Sequence, residues 1–87
     1  MTLECLAIGN NPDTPFNSWT KDSVDIIEND RISVTVSQSS ARSLLEIRNL
    51  LVSDAGVYTC SKEGFHNVSW TINVETGPGM LLKLKIK

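Results

Sequence analysis

One segment of this chain, running from Asp54 to Cys60, constrains the fold more than any other feature. It reads Asp-Ala-Gly-Val-Tyr-Thr-Cys, which gives the spacing Asp-x-Gly-x-Tyr-x-Cys, and Cys5 and Trp19 precede it in the chain. Several elements therefore agree in order and spacing. Such a pattern predicts a fold far better than it predicts a function, because one fold hosts many unrelated functions.

The rest of the chain reads as a series of short β-strands separated by turn residues. Apolar and polar side chains alternate in several segments, as in half-buried strands, and in one of them Leu45 and Ile47 fall on the inward side. Many short strands with frequent turn signals are typical of a β-sandwich. Strands are predicted over residues 2–8, 16–21, 24–27, 31–36, 43–48, 56–62 and 68–74.

The combined pattern, Cys…Trp…Asp-x-Gly-x-Tyr-x-Cys, resembles that of an immunoglobulin domain. The resemblance implies an all-β fold, an immunoglobulin-like β-sandwich of two antiparallel sheets with Greek-key connections. The distance between the two cysteines suits the shorter, intermediate (I-set) type of domain. The segment between Trp19 and Arg31 leaves room for a C′ strand and hardly for a C″ strand.

The resemblance also assigns structural roles to individual residues. It implies that Cys5 and Cys60 form the inter-sheet disulfide, that Trp19 packs against this bond, and that Tyr58 is the tyrosine corner. The alternative for the cysteines is two buried free thiols, as in intracellular members of the family.

A charged pair is implied at the bottom of the sandwich. Arg31 and Asp54 resemble the ion pair that closes this end of such domains, and a bond of this kind can be bidentate. The alternative is two unrelated surface charges, and in either case the role is structural.

The sequence departs from the family pattern in strand C and at both ends. Asn17 stands where the family usually has an apolar residue, and a local bulge would let Phe16 fill that space. Strand A, which normally precedes Thr2, is missing. We predict an immunoglobulin-like domain over residues 1–76, followed at 77–87 by a Gly-Pro-Gly turn and an amphipathic β tail that replaces strand A. The tail has two available geometries, beside its own strand G or across at the strand A position, and the alternative is a solvated tail that forms no strand.

The charge and the composition of the chain argue against two kinds of partner, nucleic acids and membranes. The formal net charge is −2, and an acidic body argues against binding nucleic acid, which needs a basic face. The sequence has no apolar run long enough to span a bilayer, and we predict no direct membrane contact. A disulfide persists in oxidising compartments, which favours a place outside the cell or at its surface.

Three residues near the predicted F–G hairpin are candidates for surface roles. Asn67-Val68-Ser69 is a sequon for N-glycosylation at Asn67. Loops at the ends of the sandwich bind partners in variable domains, so Phe65 and His66 are candidate partner contacts, with Phe65 as the exposed anchor. Trp70 shares parity with Ile72 and is predicted to point into the core.

No set of residues suggests catalysis, and neither an enzyme nor a cofactor is predicted. The acidic stretch between residues 22 and 30 matches no known calcium-site spacing, so we predict a solvated edge and no metal site. We expect a module of a cell-surface receptor or adhesion protein that recognises a protein partner or acts as a spacer. Homodimers through edge strands or the 80–87 tail are a further expectation. The alternatives are an intracellular muscle-type module and an engineered or permuted immunoglobulin scaffold.

Overall fold

The protein folds into two antiparallel β-sheets, as seen in a computed structural model that describes residues 1–7, 14–37, 41–76 and 82–86. One short 3₁₀ helix spans Val52–Asp54. The strands are β1 Thr2–Leu6, β2 Thr20–Lys21, β3 Val24–Asp25, β4 Ile32–Ser37, β5 Arg42–Ile47, β6 Gly56–Cys60, β7 Val68–Thr76 and β8 Leu82–Ile86.

The strands pair in two separate groups. The three-stranded sheet has the order β1-β5-β4, and the five-stranded sheet has the order β3-β2-β6-β7-β8. All of the strand pairs are antiparallel. The prediction of an all-β sandwich of two antiparallel sheets is therefore confirmed.

The core lies between the two sheets and follows the alternation in the sequence. In β5 the residues Ser43, Leu45 and Ile47 are all buried, while Arg42 and Glu46 are exposed and Leu44 is half-buried. This period of two is the geometry of a strand with one face on the core. The buried apolar cluster comprises Leu3, Cys5, Trp19, Leu45, Ile47, Tyr58, Cys60, Ile72 and Val74.

Strand C is shorter than the predicted segment 16–21. Only Thr20–Lys21 forms a continuous strand, while Phe16 makes an isolated antiparallel bridge to Lys62. The Asn17 amide donates to the Ser61 carbonyl at 2.9 Å, and its exposed side chain donates to the Ser61 hydroxyl. Phe16 packs against the core cluster. Asn17 thus stays outside, and the neighbouring aromatic ring fills the space.

The chain after strand G returns to the sheet as an additional strand. β8 runs antiparallel to β7, with Ile72 opposite Ile86 and Thr76 opposite Leu82. Of the two geometries open to the tail, this is the one beside its own strand G. β7 continues to Thr76, beyond the predicted end at residue 74, where it has β8 as a partner. The Gly77-Pro78-Gly79 turn lies outside the described residues, and the division of the chain after residue 76 stays a prediction.

Candidate functional site

A disulfide joins the two sheets at the centre of the sandwich. Cys5 of β1 and Cys60 of β6 are bonded, and both residues are about 1% exposed. Trp19 belongs to the same buried cluster and is itself 2% exposed. These three residues come from separate segments of the chain, so their meeting fixes how one sheet lies on the other.

Trp19 is held by a hydrogen bond and by a second aromatic ring. Its indole Nε1 donates to the hydroxyl of Ser43 across the core at 2.9 Å, and both groups are buried. Trp70 of β7 stacks on it with ring centroids 5.5 Å apart and an interplanar angle of 26°. Trp70 is only partly buried, so it covers the core from the side and does not fill its centre. Buried indole N–H groups usually need a partner, which Ser43 supplies here.

The tyrosine corner forms at the turn between the two sheets. The hydroxyl of Tyr58, which is 1% exposed, donates to the Asp54 carbonyl oxygen at 2.5 Å. The Asp54 carboxylate accepts two bonds from the Arg31 guanidinium, at 3.1 and 3.2 Å, and a third from the Leu51 amide at 2.7 Å. Arg31 also donates to the carbonyls of Arg48 and Asn49. The pair is therefore a bidentate clamp between β4 and the 3₁₀ helix.

The charge state of this corner follows from its contacts. Burial alone would raise the pKa of the Asp54 carboxyl, but the hydrogen bonds from Arg31 and Leu51 outweigh it and hold that pKa below its ordinary value. The hydrogen bond to Asp54 raises the pKa of Arg31 in turn. Because the folded pKa of Asp54 is lowered, its stabilising effect is present above the unfolded pKa and is lost as the pH falls through the folded value.

We expect the Tyr58 hydroxyl to ionise at a higher pH than an exposed tyrosine does. The pKa of this group can be measured directly. Burial, together with the negative charge of Asp54, raises the pKa of Tyr58 to about 12, against about 10 for an unfolded tyrosine. Its contribution to stability is fully present below about pH 10 and is lost as the pH rises through 12. The chain has one tyrosine, so phenolate absorbance as a function of pH reports this residue alone.

A titration midpoint near pH 10 in protein that remains folded would contradict the corner. Tyr58→Phe is the matched control, because it removes the absorbance change and the hydroxyl donor while keeping the ring. We expect this variant to lose about 1–3 kcal/mol of stability in urea unfolding, since the buried Asp54 carbonyl is left without its donor.

Gly56 is required by a contact with the β2–β3 hairpin. Its φ of +157° lies in a region that side chains rarely adopt, and an added Cβ would lie 2.8 Å from Oδ2 of Asp22. The same Asp22 carboxylate accepts the Val57 amide at 2.9 Å, and the Asp22 amide donates to the Val57 carbonyl. The absence of a side chain at Gly56 thus lets the hairpin approach β6.

We expect Gly56→Ala to lower the free energy of unfolding by about 1–3 kcal/mol, through backbone strain and the displaced Asp22 carboxylate. Urea denaturation checks this value. A double-mutant cycle with Asp22→Ala alone and Asp22→Ala combined with Gly56→Ala gives the part of the loss that comes from the Asp22 carboxylate. An unchanged midpoint for Gly56→Ala would show that the close approach does not exist in solution.

The residues proposed for surface roles lie between β6 and β7. Asn67 and His66 are exposed. Phe65, by contrast, is partly buried, because its side chain packs against the core cluster. The Phe65 and His66 rings lie 6.5 Å apart at an angle of 50°. Phe65 therefore differs from the freely exposed anchor that the loop position suggested, because the core accepts part of its ring. His66 presents the more accessible side chain.

Two buried polar residues were missed by reasoning from the sequence. Ser43 accepts the Trp19 bond, and its place on the inward parity of β5 was the available signal. Lys62 is 2% exposed, with its Nζ 5.2 Å from the centre of the Phe16 ring. Its parity with Tyr58 and Cys60 in the predicted strand 56–62 was the available signal.

The part of the chain that the structure describes contains neither a cluster of metal ligands nor a helix suited to span a membrane. No group of three or more His, Cys, Asp or Glu residues there is arranged to hold a metal ion. None of the helices described has the length and apolar character needed to cross a bilayer.

Comparison with known proteins agrees with this architecture. The sequence model of the immunoglobulin domain matches residues 1–63, so the chain belongs to the immunoglobulin domain family. A titin homolog from Caenorhabditis elegans is 38% identical over 76 residues, which cover 79% of this chain and, to the nearest per cent, 0% of that relative. The chain therefore spans only a very small part of the relative that it matches. No solved structure matches the chain with significance.

Proposed function

We propose that this immunoglobulin module belongs to an extracellular or cell-surface protein, of the receptor or adhesion class, and that it acts by protein recognition or as a spacer. The observation that carries this proposal is the bond between Cys5 and Cys60, which leaves no free cysteine among the described residues. Disulfides persist in secreted and surface proteins and are rare in the reducing cytosol.

The sequon supports the same compartment. Asn67 is exposed and directly precedes β7, so an attached glycan would extend into solvent without disturbing the core. Asn67-Val68-Ser69 is the only such sequon in the sequence. Glycan addition at this motif takes place in secreted and surface proteins.

The role we propose is binding and not catalysis. His66, with the edge of the Phe65 ring, forms the most accessible mixed polar and aromatic surface of the loop before β7. Aromatic side chains at such positions are frequent anchors in protein interfaces. Because Phe65 also packs on the core, His66→Ala is the cleaner variant for testing this surface against a protein partner.

A second candidate function is an intracellular, muscle-type structural module. The 38% identity to the titin homolog favours it, because that relative is named for a giant muscle protein. In that setting, the two cysteines would remain thiols and Asn67 would remain unmodified.

Glycan occupancy at Asn67 in protein from its natural source tests the proposal. Trypsin cuts after Lys62 and Lys83, which gives one peptide that contains both Asn67 and Asn73. We expect peptide N-glycosidase to convert Asn67 to Asp. Asn73, which lies outside any sequon, is the internal control and should stay unchanged. If no copy of the protein carried a glycan at Asn67, the result would support the muscle-type module.

A further inference from the structure

We propose that copies of this domain associate head to tail, with strand β3 of one copy lying beside strand β8 of the next. β3 and β8 are the two outer strands of the same five-stranded sheet. Such a contact continues the sheet from one molecule into another. The inference concerns these two edges only and does not depend on the compartment proposed above.

The β3 edge exposes apolar side chains that the domain itself leaves uncovered. Val24 is 69% exposed and Ile27 is 82% exposed, the largest values among the exposed large hydrophobic residues described. They border an open cleft of about 400 Å³, which is also lined by Ile26 and Ile32. Apolar exposure beside a cleft at a sheet edge is typical of an interaction surface.

The backbone of this edge is free to pair. The Ile26 amide donates inward to the Trp19 carbonyl at 2.9 Å. Because neighbouring residues of an antiparallel strand point their backbone groups to opposite sides, Asp25, the last residue of β3, directs its groups outward. Among the described residues, nothing bonds to those outward groups, so this edge is a template for another strand.

The charges of the two edges are complementary. Asp25 gives β3 itself a negative charge, whereas the carboxylates of Asp22 and Glu28 bond to the amides of Val57 and Val34. Lys21 of β2 also lines the cleft, and its ammonium group is bonded to the Ser53 carbonyl. β8 carries Lys83 and Lys85 at the opposite edge of the sheet. Unlike edges therefore attract, whereas two β3 edges, or two β8 edges, place like charges side by side.

The edge of the other sheet at β4 is less available. The Glu28 carboxylate accepts the outward Val34 amide at 2.8 Å, and the Asn29 amide donates to the Ile32 carbonyl. These bonds occupy part of the β4 edge, as proteins do when they block unwanted strand pairing. The β3 edge has no such cover in the described part of the chain.

A contact between unlike edges does not form a two-fold dimer. β3 and β8 run in the same direction, because the strands from one to the other are antiparallel neighbours and an even number of steps apart. When the next copy keeps the orientation of the first, the joined strands are parallel, and each new copy presents the same edges as the last. Heterologous contacts of this kind give open chains or rings instead of a two-fold dimer.

Sedimentation velocity over rising protein concentration tests the proposal. In low salt we expect the average mass to grow beyond that of a dimer, and high salt should reverse the growth because exposed charges are screened. Asp25→Lys and Lys85→Glu should each weaken association roughly tenfold or more. An equal mixture of these two variants should assemble again, because every contact then places opposite charges at positions 25 and 85.

Matched controls carry the same charge changes away from both edges. Glu46→Lys and Arg48→Glu alter an exposed pair at the end of β5 in the other sheet, and each should associate like the unaltered protein. Circular dichroism verifies that each variant is folded, and Asp25→Lys changes a residue in an exposed strand.

Monomers at every concentration, growth that stops at a dimer, or a mixture that does not assemble would each overturn the proposal. None of these outcomes bears on the glycan at Asn67.

Discussion

Trp19→Ala is expected to lower the free energy of unfolding by about 3–5 kcal/mol, as for other buried tryptophans truncated to alanine. The variant loses a ring that is 2% exposed, opens a cavity beside the disulfide-bonded cysteines, and removes the stack on Trp70. It also leaves the Ser43 hydroxyl without its indole donor. Urea unfolding followed by circular dichroism measures the loss without depending on tryptophan fluorescence.

Two further variants identify the cause of this loss. Trp19→Phe keeps most of the volume and removes only the bond to Ser43, so we expect a loss of about 1–3 kcal/mol. Trp70→Ala removes the covering ring, which is only partly buried, and should destabilise less than Trp19→Ala. Equal losses for the Trp19→Ala and Trp70→Ala variants would contradict the placement of Trp19 at the centre of the core.

Removing the disulfide is expected to have an effect of similar size. The double variant Cys5→Ala/Cys60→Ala should lose about 2–5 kcal/mol, and the chain-entropy treatment of a loop of this length gives roughly 4 kcal/mol. The bond spans 55 residues of sequence. A domain this small has only a modest core to offset the loss, so the double variant should be close to the limit of stability.

Reduction of the unaltered protein provides the matched comparison. A reducing agent cleaves the bond without changing core volume, whereas the double alanine variant also removes two sulfur atoms. We expect reduction to cause most of the loss seen in the double variant. If reduced and oxidised protein unfolded at the same urea concentration, the bond would not contribute to stability.

Much of the fold could be predicted because the motif and the strand pattern agree. The inward parity of Leu45 and Ile47 follows from alternation alone, and both are buried. The spacing of Asp54, Tyr58 and Cys60 predicted a corner whose partner atoms lie close in sequence, so little tertiary information was needed. The immunoglobulin domain match over residues 1–63 confirms the predicted family.

The remaining features depend on contacts between distant segments. Nothing local to Phe16 or Lys62 shows that the two will form a bridge, and the pairing shortens strand C. Phe65 was expected as a free anchor from its loop position, but whether a loop aromatic turns toward the core depends on the space left by its neighbours. The choice of β7 as the partner of the tail likewise depends on which edge is open.

The most direct test of the account is the state of the two cysteines in protein taken from its natural source. Free thiols are alkylated under denaturing conditions, and the protein is then digested with trypsin without reduction. We predict one cross-linked species that joins the tryptic peptide ending at Lys21, with Cys5, to the peptide of residues 49–62, with Cys60. Two separate peptides, each alkylated at its cysteine, would contradict the disulfide-linked surface module and support the muscle-type alternative.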